Sequence, residues 1–161
     1  MKIISDIENY KEDTPSLLTI GTFDGVHIGH QKIIRNLVSQ AKEKRHLAVV
    51  LTFFPHPRMV LQKDSSIRLI DTLEEKQKIL ASLGIDILVI HPFSKEFSRL
   101  TPLEFTRDLL VNTFKISKVI IGYDHRFGRN REASIQDLYQ FSTVYDFEVE
   151  EIPVQEISSV N

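Results

Sequence analysis

Two closely spaced histidines in a glycine-containing segment are the side chains of this sequence best suited to chemistry. His27 and His30 follow an apolar run and precede a helical pattern, with Gly21, Gly25 and Gly29 around them. A turn from a strand into a helix presents free backbone N–H groups and the positive end of the helix dipole, and both attract anions. Imidazoles donate hydrogen bonds to phosphate oxygens, and glycines allow a close backbone approach. The segment is therefore predicted to be a phosphate-binding turn.

Two other interpretations of the same segment stay open at this point. Asp24, His27 and His30 are residue types that bind metal ions, so a metal site is possible in principle. The short spacing at a turn favours phosphate over metal. A histidine can also lie at a surface or in a core without any ligand, but the flanking glycines argue against that interpretation here.

Length, charge and residue usage restrict the class of protein. The sequence has 161 residues, a formal net charge of -2 and no cysteine. This length suits one domain, and the lack of cysteine excludes disulfides and thiolate chemistry. Acids near the N-terminus argue against a signal peptide, and no apolar run approaches a membrane span. We expect a cytoplasmic protein that binds small molecules, with neither nucleic acid nor a membrane as a partner.

Apolar strand patterns alternate with amphipathic helical patterns along the chain. Strands are predicted at residues 17–21, 47–53, 85–90, 118–122 and 147–152. Helices are predicted at residues 31–44, about 72–83, 103–114 and 134–145, and the first fifteen residues are expected to give an edge strand and an irregular lead-in. This alternation predicts an α/β fold whose mostly parallel sheet has helices on both faces. The turns at 21–30, 54–58, 91–99 and 122–133 should then meet at one edge, where ligands bind in such folds.

Local capping signals support two of these helix boundaries. Thr101, Pro102 and Glu104 supply an N-cap, a first-turn proline and a capping-box glutamate. Gly84 is expected to end the preceding helix, because glycine adopts the left-handed backbone conformation without strain.

Three segments in order resemble a known family. Residues 21–30 resemble the H-x-G-H signature of the nucleotidylyltransferase superfamily, in the fuller form of its FAD synthetase branch. Residues 52–57, Thr-Phe-Phe-Pro-His-Pro, are similar to that branch's second turn, and residues 122–128 are similar to its third loop. His125 and Ala133 stand where the family commonly has phenylalanine and glycine. The branch is the adenylyltransferase module of bacterial bifunctional riboflavin kinase/FMN adenylyltransferase.

The resemblance implies a Rossmann-like nucleotidylyltransferase fold and a reaction in which ATP and FMN give FAD and pyrophosphate. Mg²⁺ is expected to enter with ATP, with no metal ligand assigned in the protein itself. His27 and His30 are the expected catalytic residues, and we expect them to stabilise phosphate charge. The expected ATP-binding residues are Gly21, Thr22, Phe23, Asp24, Gly25 and Gly29.

The later two segments are implied to bind FMN or phosphates. The residues concerned are Phe54, Pro55, His56, Pro57, Asp124, Arg126, Phe127, Gly128 and Arg129. Taken without the resemblance, the Pro-His-Pro turn is a stiff strand terminator and Phe127 is equally suited to a core. Arg126, Arg129 and Arg131 form a basic cluster that either closes on phosphates or is simply solvated.

The resemblance also leads to an expectation about domain organisation. Residues 1–161 should form one FAD synthetase domain, truncated at its C-terminal end, with the riboflavin kinase domain of the parent chain absent. The family's later ATP-phosphate segment does not match residues 157–161. The remaining alternatives are another H-x-G-H nucleotidylyltransferase, a non-catalytic nucleotide- or flavin-binding module, and a metal-dependent hydrolase.

Overall fold

Within the part of the chain that it describes, the computed structural model contains one sheet of six strands, all parallel. The structure describes residues 1–21, 28–54, 73–122 and 135–152, without the side chains of residues 28–30. The strands are β1 (Lys2–Ile4), β2 (Ser16–Ile20), β3 (Leu47–Phe53), β4 (Ile87–His91), β5 (Ile116–Gly122) and β6 (Glu148–Ile152). Their order across the sheet is β1-β4-β3-β2-β5-β6. The prediction of an α/β fold with a parallel sheet is confirmed.

Helices connect the strands, as the alternating pattern predicted. They are α1 (Ile28–Lys44), α2 (Leu73–Ser82), the short α3 (Lys95–Ser98), α4, which opens at Pro102–Glu104 and continues over Phe105–Thr113, and α5 (Ile135–Tyr145). A 3₁₀ turn, Ile7–Asn9, follows the edge strand β1. The predicted edge strand and lead-in are thus present, although Ile7 and Tyr10 of the lead-in are buried.

Two apolar clusters cover the two faces of the sheet. On one face, α1 and α2 bury Leu37 and Leu80 against alternate strand residues such as Val50 and Leu88. On the other face, the lead-in, α4 and α5 pack on the intervening residues. Because side chains alternate along a strand, covering both faces requires strands that are apolar throughout, which is the pattern of residues 47–53. Helices on both faces are therefore confirmed.

The amino and carboxyl ends of the strands form two edges of the sheet, and the connections at these two edges differ in length. Helices α1, α4 and α5 are each followed by a residue with positive φ, namely Arg45, Lys115 and Asp146, and a strand begins within two residues. After α2 the same conformation falls on Gly84, at φ +94°, as predicted. Left-handed residues stop a helix abruptly, so the amino edge of the sheet carries short connections. The longer segments that follow β2, β3 and β5 leave from the carboxyl edge.

Helix α4 differs from the regular helix predicted for residues 103–114. The capping box of Thr101 and Glu104 is present, but the hydrogen bonding becomes π-helical from Phe105. The Phe114 N–H donates to the Leu109 carbonyl at 2.9 Å, a step of five residues. The wider turn keeps Phe105, Leu110 and Phe114 together on the buried face. Burial of this apolar set is the physical reason that the backbone departs from the local α-helical preference.

A polar network fixes α1 against β5 and β6. The Glu150 carboxylate accepts hydrogen bonds from Asn36 at 2.7 Å and Gln40 at 3.0 Å, and it pairs with Lys118 at 2.8 Å. Lys118 also donates to the Gln40 side chain at 2.8 Å. Burial raises the pKa of Glu150, but the hydrogen bonds from Lys118, Gln40 and Asn36 outweigh it and leave the pKa below its ordinary value. The network therefore holds the helix that leads away from the histidine segment.

Replacing Glu150 with alanine should destabilise the protein by about 1–3 kcal/mol, because Lys118, Asn36 and Gln40 lose a shared partner. The matched control is Glu148→Ala, on the same strand as Glu150, which removes an exposed ion pair with Lys44 of α1. It should cost about 0–1 kcal/mol. Urea denaturation of both variants measures the difference. Equal losses would show that the network contributes no more than a surface ion pair.

Candidate nucleotide and flavin site

The strand order places a crevice at the carboxyl ends of β2 and β5. From β2 the chain continues to β3 on one side, and from β5 it continues to β6 on the other. Neighbouring strands whose connections run in opposite directions leave an opening between them, and α/β proteins bind ligands there. The segments that begin at Gly21 and Gly122 leave from these two strands. The first and third of the three sequence motifs therefore start on either side of this crevice.

The start of α1 is suited to an anion. The helix begins at Ile28, so Gly29 and His30 belong to its first turn, three residues earlier than the predicted start at residue 31. No acidic residue lies in that turn. By contrast, α2, α4 and α5 carry carboxylates in their first turns, among them Glu74, Glu104 and Asp137. A carboxylate there satisfies the positive end of the helix dipole, so a first turn without one, as in α1, is suited to an external anion.

Gly21 takes part in the sheet. Its N–H donates to the Leu51 carbonyl at 3.1 Å, so this amide is not available to a phosphate. The ATP-binding role expected of Gly21 therefore does not include donation from its own N–H, and the rest of that expectation stays a prediction.

Aromatic side chains gather at the carboxyl ends of β3 and β4. Phe53, Phe93 and Phe105 all contact Phe97, and these four residues are here termed the aromatic cluster. The ring centroid of Phe97 lies 5.2 Å from that of Phe53, 5.8 Å from that of Phe93 and 6.3 Å from that of Phe105. Phe54 follows Phe53 in the chain, and its side chain is 50% exposed. Exposed aromatic rings beside a packed aromatic cluster suit a flat ligand ring.

His91 ends β4 and contacts this cluster. Its ring centroid lies 4.9 Å from that of Phe97, and its Nδ1 accepts a hydrogen bond from the Ile7 N–H at 3.2 Å. Accepting through Nδ1 defines the neutral ring, with the proton on Nε2. Burial lowers the pKa of His91, while the carboxylates of Asp6 and Glu8 act in the opposite direction and are outweighed. The imidazole is therefore neutral at physiological pH, although Asp6 Oδ1 lies 3.6 Å away.

Many of the expected site residues lie outside the described residues. They are Thr22, Phe23, Asp24, Gly25, His27, Pro55, His56, Pro57, Asp124, Arg126, Phe127, Gly128 and Arg129, together with the side chain of His30. Thr72 and Ser134, at which two of the helices were predicted to begin, lie outside as well. Gly21, Phe54 and the helical backbone of Gly29 and His30 are placed at the carboxyl edge. The site assignment as a whole stays a prediction.

Sequence reasoning did not single out His91 or Phe93. Both belong to the 91–99 turn, which was expected at the carboxyl edge. The available signal was the run of ring-bearing residues directly after a buried strand, His91, Phe93 and Phe97. No local pattern pairs these rings with Phe53, since that contact depends on β3 lying next to β4.

Two properties of the described residues bear on the expected absence of a membrane partner and on the metal interpretation. Within the ranges given above, no group of three His, Cys, Asp or Glu side chains could hold a metal ion. The proposed ligands Asp24 and His27 fall outside those ranges, so the metal interpretation is not tested. None of the described helices is long and apolar enough to cross a membrane.

The fold and the crevice define a doubly wound α/β protein with a helix start suited to an anion and an aromatic cluster at the carboxyl ends of β3 and β4. The FAD synthetase family model matches residues 9–161. This chain belongs to the FAD synthetase family.

Curated relatives agree with the family assignment. The chain is 37% identical over 153 residues to a bifunctional riboflavin kinase/FMN adenylyltransferase of Buchnera aphidicola subsp. Schizaphis graminum, covering 94% of this chain and 49% of the relative. It is 35% identical over 157 residues to an FAD synthetase of Listeria monocytogenes, covering 94% and 63%. The bifunctional protein of Escherichia coli K12 is 32% identical, with 92% and 48% covered. The chain thus spans about half the length of the bifunctional relatives.

A solved structure shares the architecture. It is described as a macrolide-efflux protein from Streptococcus pneumoniae, with a TM-score of 0.81 and 26% identity. The match covers 94% of this chain and 49% of that one. The similarity supports the arrangement of the sheet and helices described above.

The lowered pKa of His91 predicts a specific pH dependence of stability. The unfolded chain has an ordinary histidine pKa of about 6.5 and binds a proton before the folded protein does. The free energy of unfolding should therefore fall as pH drops below about 6.5, until the lower folded pKa is passed. His91→Phe should lack this component.

Urea denaturation of both proteins between neutral and mildly acidic pH gives the free energy of unfolding as a function of pH. The contribution of His91 is the difference between the two profiles. Titration of the other histidines cancels in that difference. Parallel profiles would contradict the assignment of a neutral, partly buried imidazole.

Proposed function

We propose that this chain is the FMN adenylyltransferase unit of its protein, converting ATP and FMN to FAD and pyrophosphate. The observation that carries the proposal is the start of α1, which lies at the topological crevice without a carboxylate in its first turn. The family assignment and the names of the relatives support the choice of substrates. Mg²⁺ would enter bound to ATP, as the substrate complex.

The reaction needs charge stabilisation more than proton transfer. The FMN phosphate has a second pKa near 6 and is mostly ionised at neutral pH, so its oxygen can attack the α-phosphorus without a general base. The new O–P bond forms as the bond to the β-phosphate oxygen breaks, and pyrophosphate leaves. The protein must bring two repelling anions together and stabilise the charge that develops.

His27 and His30 supply the proposed donors. Both belong to the segment that runs into α1, and the helix begins between them at Ile28. In this role they donate hydrogen bonds to the transferring and leaving phosphates and abstract no proton. The α1 dipole reinforces them, since its positive end lies at the same turn. The nucleotide residues proposed alongside them are Gly21, Thr22, Phe23, Asp24, Gly25 and Gly29.

The flavin is proposed to lie toward β3 and β4. The half-exposed Phe54 and the adjoining aromatic cluster offer apolar ring surface where the Pro55-His56-Pro57 turn begins. Across the crevice, Asp124, Phe127 and Gly128 are proposed to complete the pocket. Arg126 and Arg129 are suited to the phosphates that join the two substrates, because arginine pairs with phosphate in two parallel hydrogen bonds.

The length of the bifunctional relatives supports a proposal about the domains of the whole protein. Because the chain spans about half of the bifunctional relatives, we propose that its parent protein carries a C-terminal riboflavin kinase domain. Residues 1–161 are then its FAD synthetase domain. The cytoplasmic location expected from the sequence stays a prediction.

Incubating the full natural protein with FMN, labelled ATP and Mg²⁺ should yield labelled FAD and pyrophosphate, and chelation of Mg²⁺ should stop the reaction. His27→Ala and His30→Ala should each lower kcat by about 10²–10³-fold, since each removes a donor to developing charge. The KM for FMN should change far less. His46→Ala, which alters an imidazole bonded to Ser117, is the control.

Binding of FMN without pyrophosphate release would identify a binding module instead of an enzyme. Turnover with another phosphorylated acceptor, but not with FMN, would point to a different nucleotidylyltransferase.

Phe54→Ala should raise the KM for FMN by about 2- to 12-fold, which corresponds to the loss of roughly 0.5–1.5 kcal/mol of ring contact. The KM for ATP should stay within about twofold. Val144→Ala removes a more exposed apolar side chain on α5 and should change neither constant. Steady-state FAD formation measures all three proteins. Equal KM values for FMN in Phe54→Ala and the unaltered protein would remove Phe54 from the flavin site.

A further inference from the structure

We propose that His91 is a positioning residue for the flavin site, linking the lead-in at Ile7 to Phe54 and the aromatic cluster. The proposal rests on the proposed function, because it concerns the affinity for FMN. It assigns His91 no contact with the substrate. Its role is to hold in place the strand end from which the flavin-binding residues extend.

The first step is the contact between His91 and the lead-in. Strand β1 ends at Ile4, which pairs with Val89, so His91 extends beyond the last strand partner on that side of β4. The Ile7 N–H donates to His91 Nδ1 at 3.2 Å. Ile7 is 5% exposed, and a buried N–H needs an acceptor. Beyond the last residue pair of β1 and β4, the side chain of His91 therefore supplies the hydrogen-bond acceptor for the backbone of the lead-in.

The lead-in on the other side of this contact is itself held in place. Asp6 Oδ1 accepts a hydrogen bond from the Glu8 N–H at 2.9 Å and caps the 3₁₀ turn. Farther along, Tyr10 packs edge-on against Phe114 at the end of α4, with ring centroids 4.8 Å apart. The Ile7 N–H therefore belongs to a turn whose position is fixed by the Asp6 cap and by the packing of Tyr10.

The second step leads from His91 to the flavin residues by two routes. Its backbone carbonyl accepts a hydrogen bond from the Phe54 N–H at 3.2 Å, and its register partner in β3 is Phe53. Its ring contacts Phe97, which contacts Phe53 in turn. Displacement of His91 would therefore move the backbone of Phe54 and the packing of the aromatic cluster together.

Three substitutions separate the two contacts of the imidazole. His91→Asn keeps an acceptor at the position of Nδ1 and loses the ring, and His91→Phe keeps a ring and loses the acceptor. Each should weaken FMN binding about threefold. His91→Ala loses both and should weaken it about tenfold, or 1.4 kcal/mol. Flavin fluorescence titration of the full natural protein gives the Kd, and steady-state FAD formation gives kcat and the KM for ATP, which should stay within about twofold.

The matched control is His46→Ala. His46 is a half-buried imidazole with a 2.9 Å contact to Ser117, at the amino edge of the sheet. It should leave the Kd for FMN unchanged even where it lowers stability. The proposal is overturned if all three His91 variants bind FMN within twofold of the unaltered protein, or if FMN and ATP weaken by the same factor.

Hydrogen exchange in the unaltered protein decides the matter if the variants do not fold. Because coupling is reciprocal, a contact that supports FMN binding must be strengthened by FMN. Exchange of the Ile7 amide should slow on addition of FMN and not on addition of ATP alone. Unchanged exchange at saturating FMN would contradict the proposal.

The two proposals fail in different ways. FMN binding without FAD formation refutes the proposed reaction, and the Kd values of the His91 variants still judge the positioning role. FAD formation by a protein whose His91 variants bind FMN normally refutes the positioning role alone. No FMN binding by the unaltered protein refutes both.

Discussion

Burial of both faces of a parallel sheet is the constraint on which the rest of this structure depends. Leu18 and Val49 face one apolar cluster, and Leu17 and Val50 face the other. Strands covered in this way have no solvent-facing side on which to carry polar chemistry. Reactive residues must therefore follow the strand ends. Since all strands run in the same direction, the longer segments that follow β2, β3 and β5 lie at one edge, with a crevice where the connections of β2 and β5 diverge.

The two halves of this carboxyl edge favour different chemical groups, phosphate on one side and an aromatic ring on the other. On the α1 side, a helix start without a carboxylate provides a fixed positive potential, which favours phosphate. On the β3 and β4 side, Phe53, Phe54 and Phe97 provide ring surface, which favours a flat aromatic system. An adenylyl transfer to FMN needs both, because one substrate is rich in phosphate and the other carries a large ring.

Polar contacts support each half from the side away from the crevice. Glu150, Lys118 and Gln40 hold α1 against the strands beyond the crevice. On the opposite face, His91 joins the lead-in to the strand end beside Phe54. Both involve partly buried side chains hydrogen-bonded to a neighbouring element, and such directional contacts fix one geometry more firmly than apolar contacts alone. The scaffold thus supports each half of the site separately.

The sequence by itself determined the elements whose signals are local. The apolar runs gave the strands, the Thr101–Glu104 box and Gly84 gave helix boundaries, and the histidine segment with the two later motifs gave the family resemblance. These signals depend on residues a few positions apart. Only the tertiary structure decided the strand order, the π-helical course after Phe105 and the contact between Ile7 and His91, which are 84 positions apart. Such features follow from the burial free energy of the whole sheet, which no local pattern encodes.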